Sequence, residues 1–182
     1  METYIAVAVV IVLVVFAISI YNTLVRLRQS VSQASSDIDV QLKQRHDLIP
    51  NLVETVRGYA IHERETLQAV TEARARAIAA LGTSAQTQAQ IHLSETVARV
   101  IGLAEAYPNL SASGSFQQLQ AELSDTENKI SAARRFYNNS CSEYNAAVDQ
   151  FPTIIFSRLF GFQPLDFFQA EAAERQTPSV RF

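Results

Sequence analysis

Residues 4–21 read YIAVAVVIVLVVFAISIY, an almost unbroken aliphatic run with no charge inside it. At about 18 residues it lies near the lower end of the ~17–25 that a helix needs to cross a bilayer's hydrocarbon core. Tyr4 and Tyr21 sit at its two ends, where amphipathic rings prefer the level of the headgroups. A cleavable signal peptide would need a basic start and a small-residue cleavage site. Here Glu2 is the only side-chain charge before the run, and the bulky, basic stretch YNTLVRLRQ follows it. A buried core helix fits poorly, because so uniform a run leaves no polar face for water. The expectation is a permanent transmembrane anchor, with the lipid bilayer as the first partner of the chain.

Outward from the anchor, Arg26 and Arg28 come directly after it, Lys43 and Arg45 further on, and no Lys or Arg comes before it. Positive residues stay on the cytoplasmic side. The expected topology is single-pass in the cell (inner) membrane, with a short N-terminus outside and the body in the cytoplasm. The single cysteine, Cys141, suits that side, since a lone thiol cannot staple a secreted domain. Of 182 residues, those beyond the anchor make one domain by size. The formal net charge of −3 gives no basic field to attract nucleic acid. A soluble protein partner or a lipid surface is expected instead.

The body reads as helical throughout. From Leu24 the apolar positions Leu27, Val31, Ala34, Ile38, Leu42, Ile49, Leu52 and Val56 fall three, four or seven apart, the mark of a helix with one buried face. Pro50 removes a backbone donor and predicts a kink, and Gly58 after Arg57 predicts the end. A helix running on through Gly58 stays open as an alternative. A second helix is expected over 62–81, with Glu63 and Glu65 in its first turn and Gly82 closing it. A third is expected over 84–107, opened by a Thr83/Gln86 capping box and stopped by Pro108. After a polar loop over 109–114, Ser115 and Gln118 repeat the box, and a fourth helix is expected over 115–151. Helices joined by short connections are usually antiparallel neighbours. The expected fold is therefore all-α: a transmembrane helix (1–21), an antiparallel up-down four-helix bundle with a coiled-coil-like stripe (22–151), and a terminal segment (152–182).

The start of that last segment, FPTIIFSRLFGFQPLDFF over 151–168, groups Phe151, Phe156, Phe160, Phe162, Phe167 and Phe168 with only Arg158 and Asp166 as charges. Broken by Pro and Gly, it does not read as a span. A bilayer-surface contact and a plug on the end of the bundle core remain equal readings. The tail, ending in TPSVRF, reads as extended.

Signals for catalysis are missing. His62-Glu63 opens like a zincin motif, but Thr66 stands where the second histidine would be. None of the three histidines has a Glu three residues before it, as bundle di-iron sites require, and the glycines are too isolated to cradle a phosphate. Cys141 lies on the apolar stripe and reads as a core thiol. No catalytic residue, cofactor or metal is expected. One polar feature stands out: Asp37, Asp39, Lys43, Arg45, His46 and Asp47 crowd one stretch of the first helix. An antiparallel register with residue 24 beside 150 sets Asp39 near Arg134 and Arg135, and His46 near Asn128. This predicts an interhelical ionic and amide network, serving either to fix register or as a recognition surface. Tyr137-Asn138 and Tyr144-Asn145 repeat at heptad spacing. Their amides either partner the tyrosine hydroxyls or face another copy of the chain, which leaves a homo-oligomer open.

Several stretches together resemble the LemA family: YNTLVRLRQSVSQASSDIDVQLKQRHDLIPNLVETVRGYAIHE, EAYPNL, FQQLQAELSDTENKISAARRFYN, SEYNAAVDQFP, FGF and the terminal P-x-V-x-F. Ser35 departs from the pattern, standing where a bulky aromatic is expected. The resemblance implies a bacterial, membrane-anchored bundle of four antiparallel helices with its body inside. It also implies no established enzymatic activity, and some members resemble proteins that act in forming magnetosome membranes. The function expected is a membrane-anchored cytoplasmic scaffold or adaptor without catalysis. The alternative is a self-assembling, membrane-shaping protein that uses the aromatic segment.

Overall fold

A computed structural model describes residues 1–80 and 83–168. The elements are α1 (Glu2–Arg57), α2 (Arg64–Ala79), α3 (Thr83–Gly102), a 3-10 turn (Leu103–Glu105), α4 (Pro108–Ser111), α5 (Gly114–Asp149) and α6 (Thr153–Phe160). The described residues are helical with no strand. The most apolar window of α1 has none of its residues buried within the protein, and it is long and apolar enough to cross a membrane. The helix then continues through Pro50 and stops at Arg57, which answers the question left open at Gly58. Both Tyr59 and Ala60 send their N–H to the Val56 carbonyl, tightening the last turn before the chain leaves the axis.

Helix ends depart from the expected ones for local reasons. α2 starts at Arg64 rather than His62, with Glu63 in a non-helical conformation in front of it. The expected closure at Leu81 and Gly82 lies outside the described residues, as does the Thr83 side chain of the first capping box. α3 gives way to a 3-10 turn after Gly102, short of Tyr107, because glycine is a poor helix former and Pro108 follows closely. Pro108 then sits in the first turn of α4, where its missing N–H costs nothing, so part of the expected loop over 109–114 is helical. At the start of α5 the second capping box does not form: the Gln118 amide reaches forward to Glu122. The Gln117 amide instead donates to the Ser111 carbonyl at 3.0 Å.

The aromatic segment, expected to be broken, contains α6. Pro152 precedes it and Gly161 ends it with φ 74°, a left-handed conformation that glycine adopts without a Cβ penalty. Phe162 N–H bonds to the Ser157 carbonyl at 2.9 Å and Gly161 N–H to the Arg158 carbonyl at 3.4 Å, which is the Schellman arrangement.

The chain forms two compact units. The first joins Met1–Ile38 to Ala133–Phe167. Its core brings together Ile20, Leu24 and Val31 from α1, Cys141, Tyr144 and Val148 from α5, and Phe162, with Phe156 and Leu165 packed against them. The second is built on Asp39–Ala132, where one core gathers Ile49, Leu52 and Val56 (α1), Leu67, Val70 and Ala73 (α2), Leu93, Val97 and Val100 (α3), Leu110 (α4), and Phe116 and Leu123 (α5). Each Val, Leu, Ile or Phe side chain among them contributes about 1.5–3 kcal/mol by leaving water, and the three-four spacing read from the sequence is what delivers them to one side of each helix.

Candidate functional site

Two clusters, one in each unit, hold part of the residues that the sequence singles out. In the second unit, Arg45 lies on the apolar stripe of α1 with 3% of its side chain exposed. A guanidinium so placed needs partners, since an unpaired buried charge is strongly destabilising. Its Nη2 donates to Ser94 Oγ at 2.7 Å, and its Nη1 lies 3.2 Å from Glu127 Oε2, whose side chain is 46% exposed. The charge is thus buried at one end of the pair and hydrated at the other.

Next to it, the ring Nε2 of His46 lies 3.0 Å from the Gln90 Nε2 amide. Ring and amide share one buried hydrogen bond, whose direction depends on the tautomer of the imidazole. Burial, assisted by the charges of Arg45 and Arg74, holds the pKa of His46 below its ordinary value. The same residue has a second role through its backbone. Pro50 has no N–H to give the carbonyl four residues earlier, which is that of His46. Arg74 Nε from α2 donates to it at 2.7 Å, replacing the bond that proline removes.

The other expected network residues fall elsewhere. Lys43 and Asp47 pair with each other along α1 on the exposed face, and Lys43 holds the Asp47 carboxyl below the usual carboxylate range. Asp37, Asp39, Asn128 and Arg135 are exposed, and Arg134 and Asn138 are half-buried. Arg134 Nε is buried without a hydrogen-bond partner. In place of the expected pairing with Asn128, His46 hydrogen-bonds Gln90 on α3, and Glu127 of α5 pairs with Arg45. Sequence reading missed Gln90, Ser94, Arg74 and Glu127. Gln90 could have been found, because it precedes Leu93 and Val97 at helical spacing and so occupies an inward position of α3.

In the first unit, the cluster is aromatic. Phe16 meets Phe156 with ring centroids 6.2 Å apart, and Tyr21 meets Phe160 at 5.3 Å and Phe162 at 5.7 Å, all edge to face, the geometry that ring quadrupoles favour. α6 is tied to α5 by Ser157 Oγ, which donates to the Val148 carbonyl at 2.9 Å. The extended chain after Gly161 is held by side chains of α5. Asn145 donates to the Leu165 carbonyl at 2.9 Å and accepts from the Leu165 N–H at 2.8 Å. Tyr137 OH donates to the Asp166 carbonyl at 3.1 Å, with Cys141 Sγ 3.7 Å from the same oxygen. Positions 137, 141 and 145 are four apart, so they share one stripe of α5. Burial pushes the Tyr137 hydroxyl up to about 12 and raises the Cys141 thiol as well, so the thiolate that reactivity requires is disfavoured.

The six phenylalanines divide. Phe162 is buried and Phe156 half-buried against the core, Phe168 is half-buried, and Phe151, Phe160 and Phe167 are exposed. Tyr4, Tyr21, Arg26 and Arg28 are exposed along α1. Among the described residues no group of three or more His, Cys, Asp or Glu is placed to hold a metal ion. What the two clusters supply chemically is positioning: one buried cation, one neutral imidazole, and backbone groups satisfied by side chains.

Comparison with known proteins agrees with this helical, membrane-associated character. The LemA family model matches residues 34–182. Protein LemA of Metamycoplasma hominis is 27% identical over 158 residues, covering 85% of this chain and 71% of that protein. The magnetosome protein MamQ of Magnetospirillum gryphiswaldense is 20% identical over 179 residues, and MamQ 2 of Paramagnetospirillum magneticum 21%. In each of these two cases the match covers 84% of this chain and 66% of the relative, so the chain spans just under two thirds of the MamQ proteins. None of these names denotes an enzymatic activity. On the match that runs from Ala34 to Phe182, the chain belongs to the LemA family.

Proposed function

We propose that the chain is a membrane-anchored scaffold or adaptor: a single-pass protein of the cell membrane, N-terminus outside, whose cytoplasmic helices form an antiparallel four-helix bundle and dock a protein partner along their shaft. The observation that carries this reading is the continuity of α1. One helix from Glu2 to Arg57 begins as an apolar window with none of its residues buried and goes on to supply Leu24 and Val31 to one core and Ile49, Leu52 and Val56 to the other. Such a helix carries the chain from the apolar window directly into folded protein. The exposed charges Asp39, Lys43 and Asp47, each four residues from the next, form its candidate recognition face. Proximity crosslinking in intact cells tests this, comparing the native chain with a variant in which those three charges are reversed. Capture of one defined partner set, lost in the variant, is the expected result; capture of the same proteins by both would remove the face from consideration.

A second reading is a self-associating, membrane-organising protein. It is favoured by the apolar side chains that α6 leaves uncovered and by the likeness to proteins named for the magnetosome. The purified full-length chain would then deform liposomes at high surface occupancy, and unaltered vesicles would count against it.

A further inference from the structure

The turn before α6 and α6 itself expose Phe151 (76%), Ile155 (58%) and Leu159 (74%). Ile155 and Leu159 are four residues apart on α6 and so form one stripe, and Phe151 is exposed in the turn that leads into it. On the other side Phe156 and Ser157 face the first unit. An apolar stripe left uncovered on a short helix calls for an occupant, and the aromatic contacts identify it. Tyr21 ends the apolar run, at the level where interfacial tyrosines reside, and the rings of Phe160 and Phe162 rest on Tyr21. Phe156 rests on Phe16, about 7.5 Å deeper along α1 at ~1.5 Å per residue. α6 therefore sits beside the last turns of the span, at the depth of headgroups and upper acyl chains. Its one charge is Arg158, which is exposed and is of the sign that anionic headgroups attract.

We propose that α6 is an interfacial membrane helix, the second half of a two-part anchor, with Phe151, Ile155 and Leu159 inserted among the acyl chains of the leaflet that Tyr21 borders. This rests on reading residues 4–21 as a span. It also answers a shortfall in that span: Tyr4–Tyr21 is about 27 Å long as a helix, a little under the ~30 Å of a typical hydrocarbon core. A short span draws the bilayer thinner around it. A shallow helix at its cytoplasmic end covers the apolar surface that such thinning exposes.

The test uses the full-length chain with Cys141→Ala, one probe site at a time (Leu159→Cys, Ile155→Cys, Val12→Cys or Ser124→Cys), and an NBD label. Each protein is reconstituted in phosphatidylethanolamine–phosphatidylglycerol vesicles. Quenching by lipid nitroxides at shallow and deep acyl positions is compared with quenching by aqueous iodide. Expected are severalfold stronger shallow-nitroxide quenching and severalfold weaker iodide quenching at 159 and 155 than at 124, with the probe at 12 quenched best by the deep nitroxide. If 159 and 155 are as open to iodide as 124 while 12 is deep, the span stands and α6 is not interfacial. If 12 is also open to iodide, the span reading and the proposal fall together. Protection from both quenchers at 159 and 155 would mean that protein covers the stripe, as in contact between copies, and would equally overturn the proposal. Both probe sites are exposed, so labelling either leaves the core intact, and agreement between them guards against a local artefact.

Discussion

The two units hold their chains together in different ways. The unit built on Asp39–Ala132 is helix against helix, so its backbone is satisfied mostly within the helices, with Arg74 covering the His46 carbonyl, and the larger polar problem is one of side chains: Arg45 needs Ser94 and Glu127, and His46 needs Gln90. The unit that joins the N-terminal half of α1 to the end of α5 includes a stretch of extended backbone after Gly161, and its polar problem is one of peptide groups. Asn145 and Tyr137 solve it by bonding to the backbone of Leu165 and Asp166. A residue type valued for its charge dominates the first case, and one valued for carrying a donor and an acceptor together dominates the second.

That contrast breaks most visibly at Arg45. Arg45→Ala is expected to cost about 2–3 kcal/mol, less than the full loss for a buried pair because Glu127 is already partly hydrated. Urea unfolding of the full chain in detergent measures it, and a loss of a few tenths would place the guanidinium in water. Next comes Asn145→Ala, which removes both bonds to the backbone N–H and carbonyl of Leu165 and is expected to cost about 2 kcal/mol. Hydrogen exchange should speed up at Leu165 and its neighbours but not in α2 or α3. A uniform increase across both units would contradict the separation drawn here.

Arg74→Ala should cost about 1 kcal/mol, because the His46 carbonyl then has no donor. The same change in a Pro50→Ala background should cost less, since an alanine in place of Pro50 supplies the missing N–H, and additivity in that double-mutant cycle would dismiss the substitution of one donor for the other. The smallest effect is with pH. His46 has a depressed pKa in the folded protein, so the unfolded chain binds more protons in the window below about pH 6.5. The contribution is fully present above that value and is lost as pH falls through the folded pKa. A chain with His46→Gln should lose this slope, and an unchanged slope would assign it to other groups.

What could be read beforehand follows from which signals are periodic. Leu24, Val31, Ile49, Leu52 and Val56 were all expected on buried faces and are buried, because apolar spacing reports the helix face directly. The exposure of the N-terminal apolar window followed from the same pattern. α6 escaped notice because Pro152 and Gly161 were read as interruptions, although a proline just before a helix and a glycine just after it are also how a short helix is bounded. The polar partners were mismatched for a different reason. Register alone placed His46 opposite α5, whereas Gln90 comes from α3, and helical spacing does not say which neighbour faces a given inward position. Arg74 was invisible until Pro50 could be set beside it in space.

The first unit is also discontinuous in the chain, with Ile38 and Ala133 on either side of the whole of Asp39–Ala132. During synthesis its α1 half therefore leaves the ribosome long before its α5 half exists. At ordinary elongation rates the wait is roughly 5–20 s. Throughout that interval Leu24 and Val31 have no α5 to cover them, while the intervening segment is itself being made. Early commitment of residues 4–21 to a bilayer would keep the waiting half away from other nascent chains, so for this architecture the order of biogenesis matters as much as the final contacts.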